Sequence, residues 1–294
     1  MTIEKIKRLR MINLLAFIVL TVVTLVAYFM PLNGNNVLTL ERKYPNLISG
    51  PAFVWYLYFL TLLSLALFDR FQAGNMTFRG IKSTKALETL GWTTSGAAFL
   101  YTLATVSLHY ELIGLTIFFL VLTVLTLLII NGNIKDRSEV MAEKFWVRNP
   151  FSLFLGWALY LLMSSIAMGW YTTFSQETPA LFLLIGFLAF VLYFAVTNRN
   201  IALPLSWIFL LLIKQLENPP GQLLKTVLWV GILFLLVTVF LIAQRDPQQG
   251  YARKPVHKTM DKYNFGSPSQ LEKLEDDLNE KLKTKPGAKI RLRT

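Results

Sequence analysis

The chain has no cysteine in its 294 residues, which removes disulfides, thiolate nucleophiles and cysteine-ligated metals in one step. Histidine is nearly as scarce, with only His109 close to the hydrophobic part of the chain and His257 far beyond it. One imidazole beside Glu111 supplies too few ligands for a structural zinc site and no bis-histidine haem pocket, so this pair reads as a polar surface turn. Charged residues make up only 16% of the chain and are confined to short segments between long apolar runs. Ion-driven pumps place ionisable groups inside their spans, and these runs contain essentially none. For the same reason no Ser–His–Asp set, paired carboxylates, phosphate-binding glycine loop or metalloprotease helix can be assembled. The sequence therefore predicts no enzyme and requires no cofactor.

What is present is hydrophobic surface, at 54% of residues. The apolar runs occupy 11–30, 51–68, 90–108, 112–130, 150–171, 180–196, 201–213 and 226–243. Most approach the roughly 17–25 residues that a helix needs to cross a hydrocarbon core. Backbone groups in lipid must bond within their own segment, so continuous runs of this length predict helices. The expected fold is an all-α membrane protein, a polytopic domain over 1–243 with about eight transmembrane helices. The seventh run is the shortest and contains Pro204. Charge supports it nonetheless: with eight spans, all the Lys and Arg except Arg42, Lys43, Lys214 and Lys225 fall on the side of the N-terminus. By the positive-inside rule both termini are then cytoplasmic and the expected location is the plasma membrane. The first run ends Tyr28-Phe29-Met30-Pro31 with no small-residue cleavage site, so it reads as an uncleaved anchor. The net charge of +12 follows from this topology and from anionic lipid, without nucleic acid as a partner.

Between spans one and two lies the longest outward connection, 31–50, with turn chemistry at Asn33-Gly34 and a second proline at Pro45. It is long enough for a lid, and equally serves as a solvated connector. The inner connections at 69–88 and 131–149 mix both charge signs and read as solvated loops, whereas 197–200 is short enough to force a tight helical hairpin. The basic tail, 244–294, holds one amphipathic segment at about 269–284, where Ser269 and Glu272 form a capping box and Leu271, Leu274, Leu278 and Leu282 a stripe. Its acidic residues disfavour an anionic membrane surface, so the stripe predicts a protein partner for the tail.

Aromatic residues reach 14% of the chain. Trp55, Tyr56, Trp146, Trp170 and Tyr171 stand at span ends and suit an interfacial belt. Trp157 and Trp207 lie about two turns inside their helices, at roughly 10 Å depth, where an indole N–H needs a partner. Flat aromatic walls with hydroxyls from Ser152, Ser164, Ser165 and Ser206 would suit a planar apolar ligand; the same residues also serve as ordinary helix packing.

Several segments resemble a known family. These are 28–34, ending Met30-Pro31-Leu32-Asn33-Gly34; Tyr44-Pro45-Asn46-Leu47 leading to Pro51-Ala52-Phe53-Val54-Trp55; Asn149-Pro150-Phe151-Ser152 through Trp157; and Leu205-Ser206-Trp207. Together they resemble the tryptophan-rich sensory proteins of the translocator-protein and peripheral-benzodiazepine-receptor family, in its longer bacterial branch. That resemblance implies a five-helix core at about 11–172 with three added helices at 180–243. It also implies a bacterial inner-membrane protein that binds tetrapyrroles, including porphyrin or haem, or sterol-like molecules, in a pocket under the first outer loop. The family's second-helix Trp aligns with Trp55 or Tyr58, its third-helix Trp with Trp92, its fifth-helix Trp with Trp157, and its later Trp with Trp207, while Ser164 replaces a family Asn. The first loop here lacks the Trp of shorter members, and Thr89 stands where they carry Asn. A homodimer is compatible with the resemblance. The expected function is a ligand-binding, sensor-like membrane protein; a passive transporter and a membrane anchor acting through its tail are the alternatives.

Overall fold

A computed structural model describes residues 3–48, 55–72, 90–135, 147–217, 219 and 221–245. The amphipathic segment at 269–284 and Trp146 lie outside them. Each of the eight apolar runs contains a helix: α1 (Ile3–Phe29), α3 (Trp55–Gln72), α4 (Thr93–His109), α5 (Ile113–Lys135), α6 (Asn149–Gly169), α8 (Glu177–Asn198), α9 (Ala202–Leu216) and α10 (Gln222–Arg245). Two short helices, α2 (Val37–Lys43) and α7 (Tyr171–Phe174), lie in connections. There is no β-strand among the described residues.

Five helices are long and apolar enough to cross a membrane, namely Glu4–Phe29, Ile113–Ile134, Asn149–Gly169, Glu177–Asn198 and Gln222–Gln244. The other three fall short for distinct reasons. Asp69, Arg70 and Gln72 interrupt the apolar run at the end of α3. α4 spans 17 residues and is rich in hydroxyls, several of them spent locally: Thr102 Oγ1 donates to Ala98 O at 2.8 Å and Thr105 Oγ1 to Tyr101 O at 3.0 Å. α9 is a shorter apolar helix of 15 residues.

Among the five, α6 alone is an interior helix, with 89% of its apolar window buried against 22–39% in the others. The others are apolar all round, and much of that surface is exposed, as at Leu14, Phe118, Phe182 and Phe234; this is how helices meet lipid. α3, α5, α8 and α9 pack against α6. α1 and α4 join α3 and α5 on one side, while α10 packs on α8 and α9 on the other.

Gly156 sets the closest approach of α6 to α9. A Cβ there would run into Ser206 Oγ, lie 3.2 Å from Ser206 Cβ and 3.3 Å from Leu203 Cδ1, so only glycine admits this spacing. Pro204 does not interrupt α9, because it falls in the first turn, where its missing N–H is not needed. The hairpin into α9 is closed by Arg199 in the left-handed region (φ 51°) and by Asn200 N donating to Ala195 O at 2.9 Å.

The connection at 131–149 departs from the solvated reading at both edges: Asn131 is 1% and Arg148 7% exposed. Asn200 Nδ2 donates to Ser152 Oγ at 2.6 Å and Asn131 Oδ1 at 3.3 Å, Ser152 Oγ donates to Asn131 Oδ1 at 2.9 Å, and Arg148 donates to Asn198 O. Asn200 Oδ1 also accepts from Leu203 N at 3.2 Å, capping α9. In an apolar bundle each such group must find its partner inside the protein, so this network ties the α8–α9 hairpin to α5 and α6.

Candidate functional site

The interior of α6 presents Trp157, fully buried. Its ring lies 5.1 Å from Trp55, 5.1 Å from Tyr58 and 5.6 Å from Tyr160. Tyr58 stacks on Tyr101 at 5.7 Å, and Tyr101 meets Phe154 edge-on at 5.3 Å. The hydrogen bonding is closed as well: Trp157 Nε1 donates to Tyr101 Oη at 2.6 Å, and Tyr58 Oη donates to Thr24 Oγ1 at 2.8 Å. This cluster joins α1, α3, α4 and α6, and it leaves neither Trp157 nor Tyr58 exposed.

Over the opposite end of the bundle from the Asn200 network runs the connection between α1 and α3. Asn33 (φ 53°) and Gly34 (φ 77°) are both left-handed, and Asn35 N donates to Leu32 O at 2.9 Å, which builds the tight turn expected at Asn33-Gly34. α2 follows, capped by Asn36 accepting from Thr39 N at 2.9 Å. Leu40 and Ile48 are buried beneath the loop, and Leu47 N donates to Phe174 O at 3.2 Å.

One carboxylate latches this segment. Glu111, in the α4–α5 turn at φ 58°, accepts from Lys43 Nζ at 2.5 and 2.6 Å, Tyr44 Oη at 2.7 Å and Asn35 Nδ2 at 2.8 Å. Those hydrogen bonds, from Lys43 first and then Tyr44 and Asn35, pull its pKa from 4.5 down to about 2. The bond to Glu111 and partial burial raise Tyr44 from 10.0 to about 12. Beside the latch, His109 is fully buried rather than at the surface turn read from the sequence. Its Nδ1 lies 2.8 Å from Thr105 O and its Nε2 3.0 Å from Ala27 O. Both ring nitrogens thus face backbone oxygens, Nδ1 within α4 and Nε2 across to α1, leaving no nitrogen for an axial haem ligand. No group of three metal-ligating side chains occurs among the described residues.

A small pocket of about 30 Å³ opens under the loop, between α6 and the added helices. Leu47, Ile48, Tyr160, Leu184, Trp207 and Lys214 are among its walls, and its volume lies well below that of ligand sites, roughly 300–1,000 Å³. Trp207 stacks on Phe187 at 6.3 Å. Its Nε1–H, although buried, has no acceptor among the described residues. An orphan donor of this kind costs on the order of 1–3 kcal/mol until an acceptor arrives.

The structure thus gathers Trp55, Tyr58 and Trp157 in one cluster and puts Trp207 in the neighbouring pocket, with Tyr160 touching both. Trp92 stands apart at the start of α4, 50% exposed, and Ser164 is buried two turns beyond Trp157 on α6. The belt reading suits Tyr56, Trp170 and Tyr171, all exposed, but not Trp55, which is 6% exposed and packed on Trp157. Tyr101, Thr24 and the Glu111 latch were not singled out from the sequence. The signal for Tyr101 was available, since a tyrosine in the middle of a span needs a hydroxyl partner as surely as a buried indole does.

The family model described as TSPO-like protein matches residues 10–241 of the chain. No curated protein and no solved structure matches it.

Proposed function

Because the chain belongs to the TSPO-like family and is a multi-pass helical membrane protein, we propose that it binds a planar, largely apolar ligand, of which a tetrapyrrole is the first candidate, in the pocket under the 31–48 loop. In this reading all eight apolar helices cross the membrane, both termini face the cytoplasm, and the loop is an outer lid. The observation that carries the reading is the pocket roofed by Leu47 and Ile48, with Trp207 holding an unspent N–H in its wall.

Apolar walls supply the affinity and the few polar groups set orientation. Trp207 Nε1–H donates to a ligand carbonyl or carboxylate, and Lys214, on the same pocket and paired with Glu217 at 2.9 Å, supplies positive charge at its rim. His109, held by two backbone oxygens and not among the pocket walls, supplies no axial ligand, and the reading rests on the ring system, so metal-free protoporphyrin should bind about as well as haem. A ring of that size needs far more than the present 30 Å³, so Leu47 and Ile48 must lift, and the Glu111 latch regulates entry. The proposal is of binding and signalling rather than catalysis.

Protoporphyrin titrated into the purified chain should quench tryptophan fluorescence saturably. Trp207→Phe should weaken binding about tenfold, as loss of one good hydrogen bond to a charged acceptor predicts, while leaving the unliganded fold as stable or slightly more so. Linear quenching without saturation, or identical affinity in Trp207→Phe, would refute the site. Rapid passage of the ligand across liposomes containing the protein would favour a passive transporter instead.

A further inference from the structure

A second recess lies far from that pocket, along the outer side of α1 and α3. It is an open groove of about 780 Å³ whose walls include Lys7, Arg10, Met11, Leu14, Asp69 and Arg70. Three cations from two helices meet at one end, and neither Lys7 nor Arg70 is ion-paired with a described residue. Asp69 is the one acid of the groove among the described residues, and its Oδ1 accepts from Gln72 Nε2 at 3.2 Å. Gln72 is held in turn by Asn13 Nδ2 at 3.1 Å, and Asn13 by Thr94 Oγ1 at 2.7 Å. This buried polar chain joins α1, α3 and α4 behind the groove and fixes the spacing of its walls.

From the cationic end the groove runs down an exposed apolar strip, with Met11 57%, Leu14 47% and Ile18 46% exposed. At 1.5 Å per residue, Lys7 to Ile18 measures about 16 Å along α1, close to half of a hydrocarbon core of roughly 30 Å. The groove therefore has the length of one leaflet, with its charge at headgroup level and its apolar wall at acyl-chain level.

We propose that this groove is a binding site for an anionic phospholipid, with Lys7, Arg10 and Arg70 around the phosphate and an acyl chain along Met11, Leu14 and Ile18. A zwitterionic headgroup would bring its own cation against three others, and a free phosphate would have no use for the apolar strip. The site is independent of the ligand pocket, with which it shares no residue.

The test uses the full chain in a neutral detergent, with bound lipids counted by native mass spectrometry during titration with phosphatidylglycerol or phosphatidylcholine. One saturable phosphatidylglycerol adduct is expected, with phosphatidylcholine retained far more weakly. Lys7→Gln combined with Arg70→Gln should weaken the adduct about thirtyfold, roughly fivefold per cation near an anionic surface. Arg8→Gln, on a residue already paired with Glu4, should leave it unchanged. Equal retention of the two lipids, displacement by inorganic phosphate, or an unaltered adduct in the double variant would overturn the proposal. The comparison of lipids on the unmodified chain decides the matter even if the double variant does not fold.

Discussion

The bond from Trp157 Nε1 to Tyr101 Oη, at 2.6 Å between two fully buried side chains, sets up a test of the aromatic cluster. Tyr101→Phe keeps the ring that stacks on Tyr58 and removes only the hydroxyl. It leaves the indole N–H buried with no acceptor, and such an orphan costs about 1–3 kcal/mol. Double-mutant cycles in membrane bundles give less, on average about 0.6 and at most about 1.7 kcal/mol, because the unfolded chain in the membrane finds other partners. Trp157 is central in the most buried helix and itself fully buried, so the coupling should lie near the upper end, at about 1–1.5 kcal/mol. Trp157→Phe alone should be worse than Tyr101→Phe, since it also opens a cavity, by about 2–4 kcal/mol in all. The double variant should then be more stable than the sum of the two single losses implies. Thermal unfolding of the four detergent-solubilised proteins, followed by helical circular dichroism, gives the cycle. Losses that add to within about 0.3 kcal/mol would show the pair to be uncoupled and the cluster to be held by packing alone.

Gly156→Ala should force α6 and α9 apart and destabilise by about 1–3 kcal/mol, read as a lower midpoint in the same assay; Ser206→Ala should partly restore it, because Ser206 Oγ is the first atom met. Asn200→Ala removes two buried donor contacts and the cap on Leu203 N, which should cost about 2–4 kcal/mol and expose the α8–α9 hairpin to proteolysis before the rest of the bundle. The Glu111 latch has a definite pH window. Its folded pKa lies below the ordinary value, so its contribution is fully present above about pH 4.5 and is lost as pH falls through about 2. Tyr44, raised to about 12, keeps its donor proton throughout the neutral and moderately alkaline range. Amide exchange in 31–48 should therefore be no faster relative to intrinsic rates at pH 5 than at pH 8, whereas Glu111→Gln should accelerate it at both. Acceleration between pH 8 and 5 in the unaltered chain would contradict the latch.

The positions of the helices were legible because lipid imposes one simple demand, that each span bond its own backbone, and every apolar run obeys it. Even the seventh run, short and containing Pro204, is a helix, since the proline falls in the first turn. The turn at Asn33-Gly34 and the hairpin at 197–200 were equally readable, because left-handed residues and short connections act locally. The orientation of each helix about its axis was not. Trp55 and Tyr56 are neighbours of similar character at one span end, yet one is 6% exposed and the other 66%. In water a polar face would have separated them; in lipid both faces of a helix are apolar, and hydropathy carries no record of which side meets the protein. His109 was misread for a related reason, since its two carbonyl partners lie four residues away on α4 and 82 residues away on α1. Composition and periodicity thus determined that this chain forms apolar helices, and approximately where. The tertiary structure alone decided that Trp157 meets Tyr101, that Glu111 gathers the 31–48 loop, and that Trp207 is left with an unspent proton beside a pocket, because each depends on atoms brought together from distant parts of the chain.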